Sequence, residues 1–195
     1  MTEPKPVQPS LVTVPNLLTF SRLLFLPIVI VGIVTRHGYL AAVAMVLLWV
    51  TDLLDGRLAR RMGQGSPFGK SLDSTIDFVL IYSLFIACYA AGRLATWQFA
   101  FLYLAMLGIL SLQFAQSAIG GDLAATSLGK VTGALEYGYL LFLVALEVIP
   151  PSRFWAEANI VFFGLLALAI VLNSAECVLK VRSIVRATDA GSARG

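Results

Sequence analysis

Asp52-Leu53-Leu54-Asp55-Gly56-Arg57-Leu58-Ala59-Arg60, followed after eight residues by Gly69 and then by Asp73 and Asp77, decides the fold, because it sets carboxylates inside two apolar runs. Four of the six aspartates in the chain fall within this stretch. The runs that carry them, at about Tyr39–Leu58 and Gly69–Ala91, are each near the ~20 residues needed to cross a bilayer as a helix. A carboxylate at bilayer depth costs ~2.5–3.5 kcal/mol on insertion scales, so ionisable groups in a span mark a functional interior or a water-filled cavity. On a helix Asp52 and Asp55 are i, i+3 and Asp73 and Asp77 are i, i+4, so each pair occupies one face. The short break from Gly63 to Pro67 makes the two helices a hairpin and brings all four carboxylates within a few turns of one loop.

Working outward, the same apolar character extends over most of the 195 residues, 58% of which are hydrophobic and only 13% charged. That exceeds the ~45–50% apolar content of ordinary soluble domains. Further spans are expected at about Leu17–Thr35, Trp97–Ile119, Leu128–Ile149 and Trp155–Leu179, separated by turn-forming Arg36-His37-Gly38, Gly92-Arg93, Gly120-Gly121-Asp122 and Pro150-Pro151. The fold expected is all-α, a polytopic membrane protein of six transmembrane helices: an N-terminal tail over 1–16, a catalytic membrane domain over 17–182 and a C-terminal tail over 183–195. The proline-rich start has no signal-peptide pattern.

Lys and Arg are distributed unevenly about these spans. One side holds Lys5, Arg22, Arg57, Arg60, Arg61, Lys70, Lys130, Lys180, Arg182, Arg186 and Arg194, and the other only Arg36, Arg93 and Arg153. Both termini and the acidic loop are therefore expected on the cytoplasmic side. The net charge of +3 is not gathered on an amphipathic or aromatic-interleaved face, which excludes nucleic acid as a partner. Cys88 and Cys177 lie in apolar segments without motif spacing and read as packing residues. The lone His37, in an outer turn, reads as a solvated loop residue.

Convergent carboxylates without His or Cys suit a hard divalent cation, Mg²⁺ or Mn²⁺, which shares its coordination with water and substrate phosphates. Gly56, Ala59 and Gly69 leave room for a bulky ligand against the backbone, and Arg60, Arg61 and Lys70 add positive charge at the rim. Together they form a site for a diphosphate and for phosphoryl-type transfer. The bland alternative, carboxylates neutralised by Arg57, Arg60 or Lys70, accounts for the charges but not for the spacing.

The complete pattern, D-x2-D-G-x2-A-R-x8-G-x3-D-x3-D, resembles the signature of the CDP-alcohol phosphatidyltransferase family. The resemblance implies a six-helix membrane fold, a homodimer, and two divalent ions held by Asp52, Asp55, Asp73 and Asp77. It implies that Asp77 is the general base, and that Gly56, Ala59, Arg60 and Gly69 accept the CDP-linked lipid. Transfer of a phosphatidyl group from CDP-diacylglycerol to a small alcohol would release CMP. Pro15-Asn16-Leu17-Leu18-Thr19-Phe20-Ser21-Arg22 and Gly129-Lys130 are similar to phosphatidylglycerophosphate synthases, which implies glycerol 3-phosphate as acceptor. Arg22 and Lys130 are the candidates for its phosphate, or else headgroup anchors. Those synthases usually carry Lys directly after the last aspartate where this chain has Phe78, so inositol phosphate, inositol and serine stay open as acceptors. Glu136, inside the fifth span, is expected to face the bundle or a cavity. A divalent-cation transporter is the alternative from another class, but it needs ligands at the midplane and a polar path to the other face, which the outer helix halves lack.

Overall fold

The computed structural model describes residues 14–62, 67–118 and 127–192, and side chains from residue 20 onward except 52–53, 55–74, 113, 116–118 and 187–192. All regular structure among them is helical: α1 (Val14–Val34), α2 (Gly38–Met62), α3 (Pro67–Ala90), α4 (Thr96–Ala118), α5 (Ser127–Ala145) and α6 (Arg153–Ser192). Contacts divide the chain into two compact units, Met1–Ala91 with α1 to α3 and Gly92–Gly195 with α4 to α6.

In the first unit α1 packs against both α2 and α3. Its start places Pro15 in the first turn, where the missing N–H has no intrahelical partner to lose. Its end is a Schellman cap: the His37 N–H donates to Gly32 O at 2.9 Å and the Arg36 N–H to Ile33 O at 3.2 Å. Arg36 takes the left-handed position, φ 58°, that glycine usually fills. The turn returns α2 against α1 so closely that a Cβ on Gly32 would lie 2.7 Å from Ala41 N. Val29 and Ile33 of α1 are buried, as are Ala41, Ala44, Met45 and Leu48 of α2. On α3 the buried stripe is Ile76, Leu80, Ile81, Leu84, Phe85 and Cys88.

In the second unit α6 packs against α4 and α5. Gln98 caps α4 by accepting the Ala95 N–H at 3.0 Å, the return arm of a capping box. Tyr139 OH donates to Asn159 Oδ1 at 2.8 Å, and Thr132 Oγ1 to Ala169 O at 3.2 Å, tying α5 to α6. The Tyr139 ring meets Phe162 edge-on at 5.3 Å, and Trp97 meets Phe163 in the same way at 5.1 Å.

Helix ends differ from the hydropathy boundaries, for identifiable reasons. The expected fifth span to Ile149 stops as a regular helix at Ala145, where Glu147 N–H to Val144 O and Val148 N–H to Ala145 O tighten the last turn ahead of Pro150. The last helix continues past Leu179 through residues 183–192, a stretch expected as tail, because no proline follows Pro151 and apolarity rather than helicity is what ends there. Likewise α2 runs beyond Leu58 to Met62, and α3 begins at Pro67 rather than Gly69.

Among the described residues two helices are long and apolar enough to cross a bilayer, Ser127–Ala145 and Arg153–Arg186. Among the same residues the other four helices contribute the apolar stretches Phe20–Val34, Gly38–Thr51, Thr75–Ala90 and Thr96–Leu112. Every helix nevertheless carries large apolar side chains on its outside, among them Leu24, Ile28, Val43, Leu47, Ile86, Leu104, Val131, Ile160 and Leu165. Water does not favour such surfaces.

Candidate active site at the acidic hairpin

Helical backbone runs without interruption through Asp52, Asp55, Gly56, Ala59 and Arg60 in α2, and through Gly69, Asp73 and Asp77 in α3. Asp52 and Asp55 are thus i, i+3 on one helix, and Asp73 and Asp77 i, i+4 on another. On α2 the residues turned inward are Ala41, Ala44, Met45 and Leu48. On α3 the buried residues Leu84, Ile81 and Leu80 lead back at helical spacing to Asp77. The side chains of Asp52, Asp55, Ala59, Arg60 and Asp73 lie outside the described residues, as do the surroundings of Gly56 and Gly69.

Asp77 is half-buried, and its Oδ1 accepts a hydrogen bond from Arg22 Nη1 at 2.5 Å. The partners stand 55 residues apart in sequence and join α3 to α1. Arg22 has 0% side-chain exposure against 31% for Asp77, so the guanidinium is enclosed and the carboxylate keeps a path to solvent. A buried guanidinium requires an anionic partner, because desolvation without one costs several kcal/mol. Arg22, expected at a cytoplasmic helix end as an anchor or phosphate ligand, is buried inside the first unit.

Just ahead of the motif, Thr51 Oγ1 donates to Leu48 O at 2.7 Å, which satisfies its hydroxyl within α2. Phe78, in the position after the last aspartate, packs in a tilted pair with Tyr82, ring centroids 4.6 Å apart. That place holds an aromatic pair and not a cation. Among the described residues no group of three His, Cys, Asp or Glu side chains meets, since three of the four motif carboxylates lie outside them. The chemistry of the donor set still fits: carboxylate oxygens at i, i+3 and i, i+4 on two helices of one unit, without a soft ligand, suit Mg²⁺ or Mn²⁺.

Other candidates fall elsewhere. Lys130 is exposed in the first turn of α5. Glu136 is buried within the second unit, on the same helix. His37 is exposed, its Nδ1 2.8 Å from Thr35 Oγ1, whose hydroxyl donates to Val31 O, as befits a turn residue. Sequence reasoning did not find two pairings, Arg22 with Asp77 and Arg93 with Glu147. For the second a signal existed, since both residues are expected near the outer ends of their segments, but depth alone does not name partners.

Comparison with known proteins bears on this arrangement. Residues 12–180 match the family model described as CDP-alcohol phosphatidyltransferase, a span that contains the whole acidic motif. The chain is 37% identical over 89 residues to a probable cardiolipin synthase (CMP-forming) of Drosophila melanogaster, covering 45% of this chain and 28% of the relative. It is 32% identical over 107 residues to a probable phosphatidylglycerophosphate synthase of Mycobacterium tuberculosis, covering 51% of each. A CDP-diacylglycerol–glycerol-3-phosphate 3-phosphatidyltransferase of Aquifex aeolicus is 40% identical over 70 residues, 35% of this chain and 39% of the relative. The chain thus spans about half or less of the length of these curated relatives.

Proposed function

The chain belongs to the CDP-alcohol phosphatidyltransferase family, and on that premise we propose that it transfers a phosphatidyl group from CDP-diacylglycerol to the hydroxyl of glycerol 3-phosphate, releasing CMP. The observation that carries the proposal is that both arms of the acidic motif are helical within one compact unit. Relatives named for glycerol 3-phosphate favour that acceptor. Inositol phosphate, inositol and serine are the acceptors to test beside it.

In the proposed reaction the acceptor oxygen attacks the lipid-bearing phosphorus, a new P–O bond forms, and the diphosphate P–O bond breaks with its electron pair leaving on CMP. Asp77 takes the hydroxyl proton, a role that its partly open carboxylate suits. Gly56, Ala59 and Gly69 leave space for the nucleotide, Arg60 pairs with its phosphates, and Lys130 offers a cation for the acceptor phosphate. Asp52, Asp55, Asp73 and Asp77 would hold two Mg²⁺ or Mn²⁺ ions, which supply charge neutralisation at the diphosphate and stabilise the departing phosphate.

We extend the proposal to six membrane spans with both termini and the site on the cytoplasmic side. The shortest helix, α5, has 19 residues, about 28 Å at 1.5 Å per residue, close to the ~30 Å hydrocarbon core. Cysteine labelling at Arg36, Arg93 and Arg153 from outside sealed cells tests the orientation. The family resemblance also supports a homodimer, which light scattering in detergent measures directly.

The functional test is CMP release from CDP-diacylglycerol by purified protein with Mg²⁺ or Mn²⁺, each acceptor offered separately and a chelator as control. Metal-dependent release with glycerol 3-phosphate alone supports the proposal. Release only with another alcohol changes the acceptor, whereas a folded protein that neither binds the CDP-lipid nor releases CMP removes the transferase assignment.

A further inference from the structure

We propose that Arg22 is a positioning residue for the Asp77 carboxylate: its guanidinium, enclosed between helices, sets how that carboxylate is turned toward metal and acceptor. The inference rests on the proposed function, in which Asp77 takes the acceptor proton. The torsion that rotates an aspartate carboxylate is broad and roughly two-fold, so placing Asp77 on α3 leaves the direction of its oxygens open. A donor from outside α3 is needed to fix it. Arg22 Nη1 supplies one, 2.5 Å from Oδ1. The guanidinium is planar and rigid, and with 0% exposure its own place is dictated by packing in the first unit rather than by solvent.

A role as membrane anchor is incompatible with that burial, and a purely stabilising role explains it poorly. Buried ion pairs are often matched or exceeded in stability by apolar residues of similar volume. A cation beside metal-binding carboxylates also opposes metal entry by charge alone, so orientation and repulsion predict opposite signs for its removal.

The test is a cycle of Arg22→Gln, Asp77→Asn and the double variant, with Mn²⁺ binding measured by calorimetry on full-length protein in detergent and CMP release measured alongside. Positioning predicts that Arg22→Gln weakens Mn²⁺ binding at least about threefold and lowers kcat at least about tenfold, with KM for CDP-diacylglycerol changed less than about threefold. In the Asp77→Asn background the same change leaves Mn²⁺ affinity as it was. Tighter Mn²⁺ binding in Arg22→Gln overturns the inference, as does an equal shift in both backgrounds or an unaltered kcat. Should Arg22→Gln not fold, Arg22→Lys carries the test, since it keeps the charge without the planar fork: reduced kcat at retained KM supports positioning, and full kcat refutes it. Absence of CMP release by the native protein would sink the transferase proposal instead, and the Mn²⁺ cycle reads the Arg22–Asp77 coupling independently of it.

Discussion

Gly32→Ala is the substitution that most directly probes how the first unit is held together. The new Cβ would lie 2.7 Å from Ala41 N, 2.9 Å from Ala41 Cα and 3.0 Å from Ala41 Cβ, while ordinary contact begins at 3.4 Å. The two helices would have to part by about 0.7 Å at this point, and the obstructing atoms are mostly backbone, which no rotamer change relieves. Overpacking of this kind costs ~1–3 kcal/mol, against which alanine in a helix gains ~0.5–1 kcal/mol over glycine. The expected net loss is about 0.5–2 kcal/mol, read as a lower midpoint in thermal or SDS unfolding of detergent-solubilised protein. Gly108→Ala and Gly164→Ala are the matched controls, because a Cβ at either meets nothing within 4 Å. They should gain the helical term alone and be neutral or slightly stabilising. If Gly32→Ala is as stable as these controls, the close approach of α1 and α2 does not exist and the packing argument for the first unit fails.

Three further outcomes are expected. Arg36→Gly should stabilise the protein by about 1 kcal/mol, by removing a side chain from the left-handed φ of 58° at the α1 cap, and unfolding midpoints against native protein check it. Glu147→Gln should destabilise by about 1–3 kcal/mol because the carboxylate is almost fully buried against Arg93; the range lies below that for fully enclosed pairs since Arg93 is 30% exposed. In the double variant with Arg93→Gln part of the loss should return. Asp77→Asn should lower CMP release by at least ~10²-fold while folding, followed by circular dichroism and size exclusion, is retained; full activity would remove Asp77 as the base.

Much of the fold was legible because apolar runs and turn residues are local signals. Arg36-His37-Gly38 and Gly92-Arg93 stand where the chain turns, and all six helices overlap the apolar segments that suggested them. The boundaries were less so. Helicity continued past Leu179 because hydropathy reports where hydrocarbon contact ends, not where backbone hydrogen bonding does. Gly32 carried no signal in sequence, since its need for the missing Cβ arises from Ala41 on the next helix. The pairing of Arg22 with Asp77 carried no signal for a related reason: the face that a cation early in the first apolar run occupies is set by the helices packed against it.

By itself the sequence determined the helical class and the spacing of the two acidic pairs, because i, i+3 and i, i+4 spacing is a property of any helix and needs no partner. The tertiary structure decided that α1 packs against both motif helices and that Arg22 meets Asp77 across 55 residues. Such a pairing depends on how far each helix is rotated about its axis. That rotation is set by the packing of α1 against α2 and α3, as at Gly32 against Ala41, which no single segment contains.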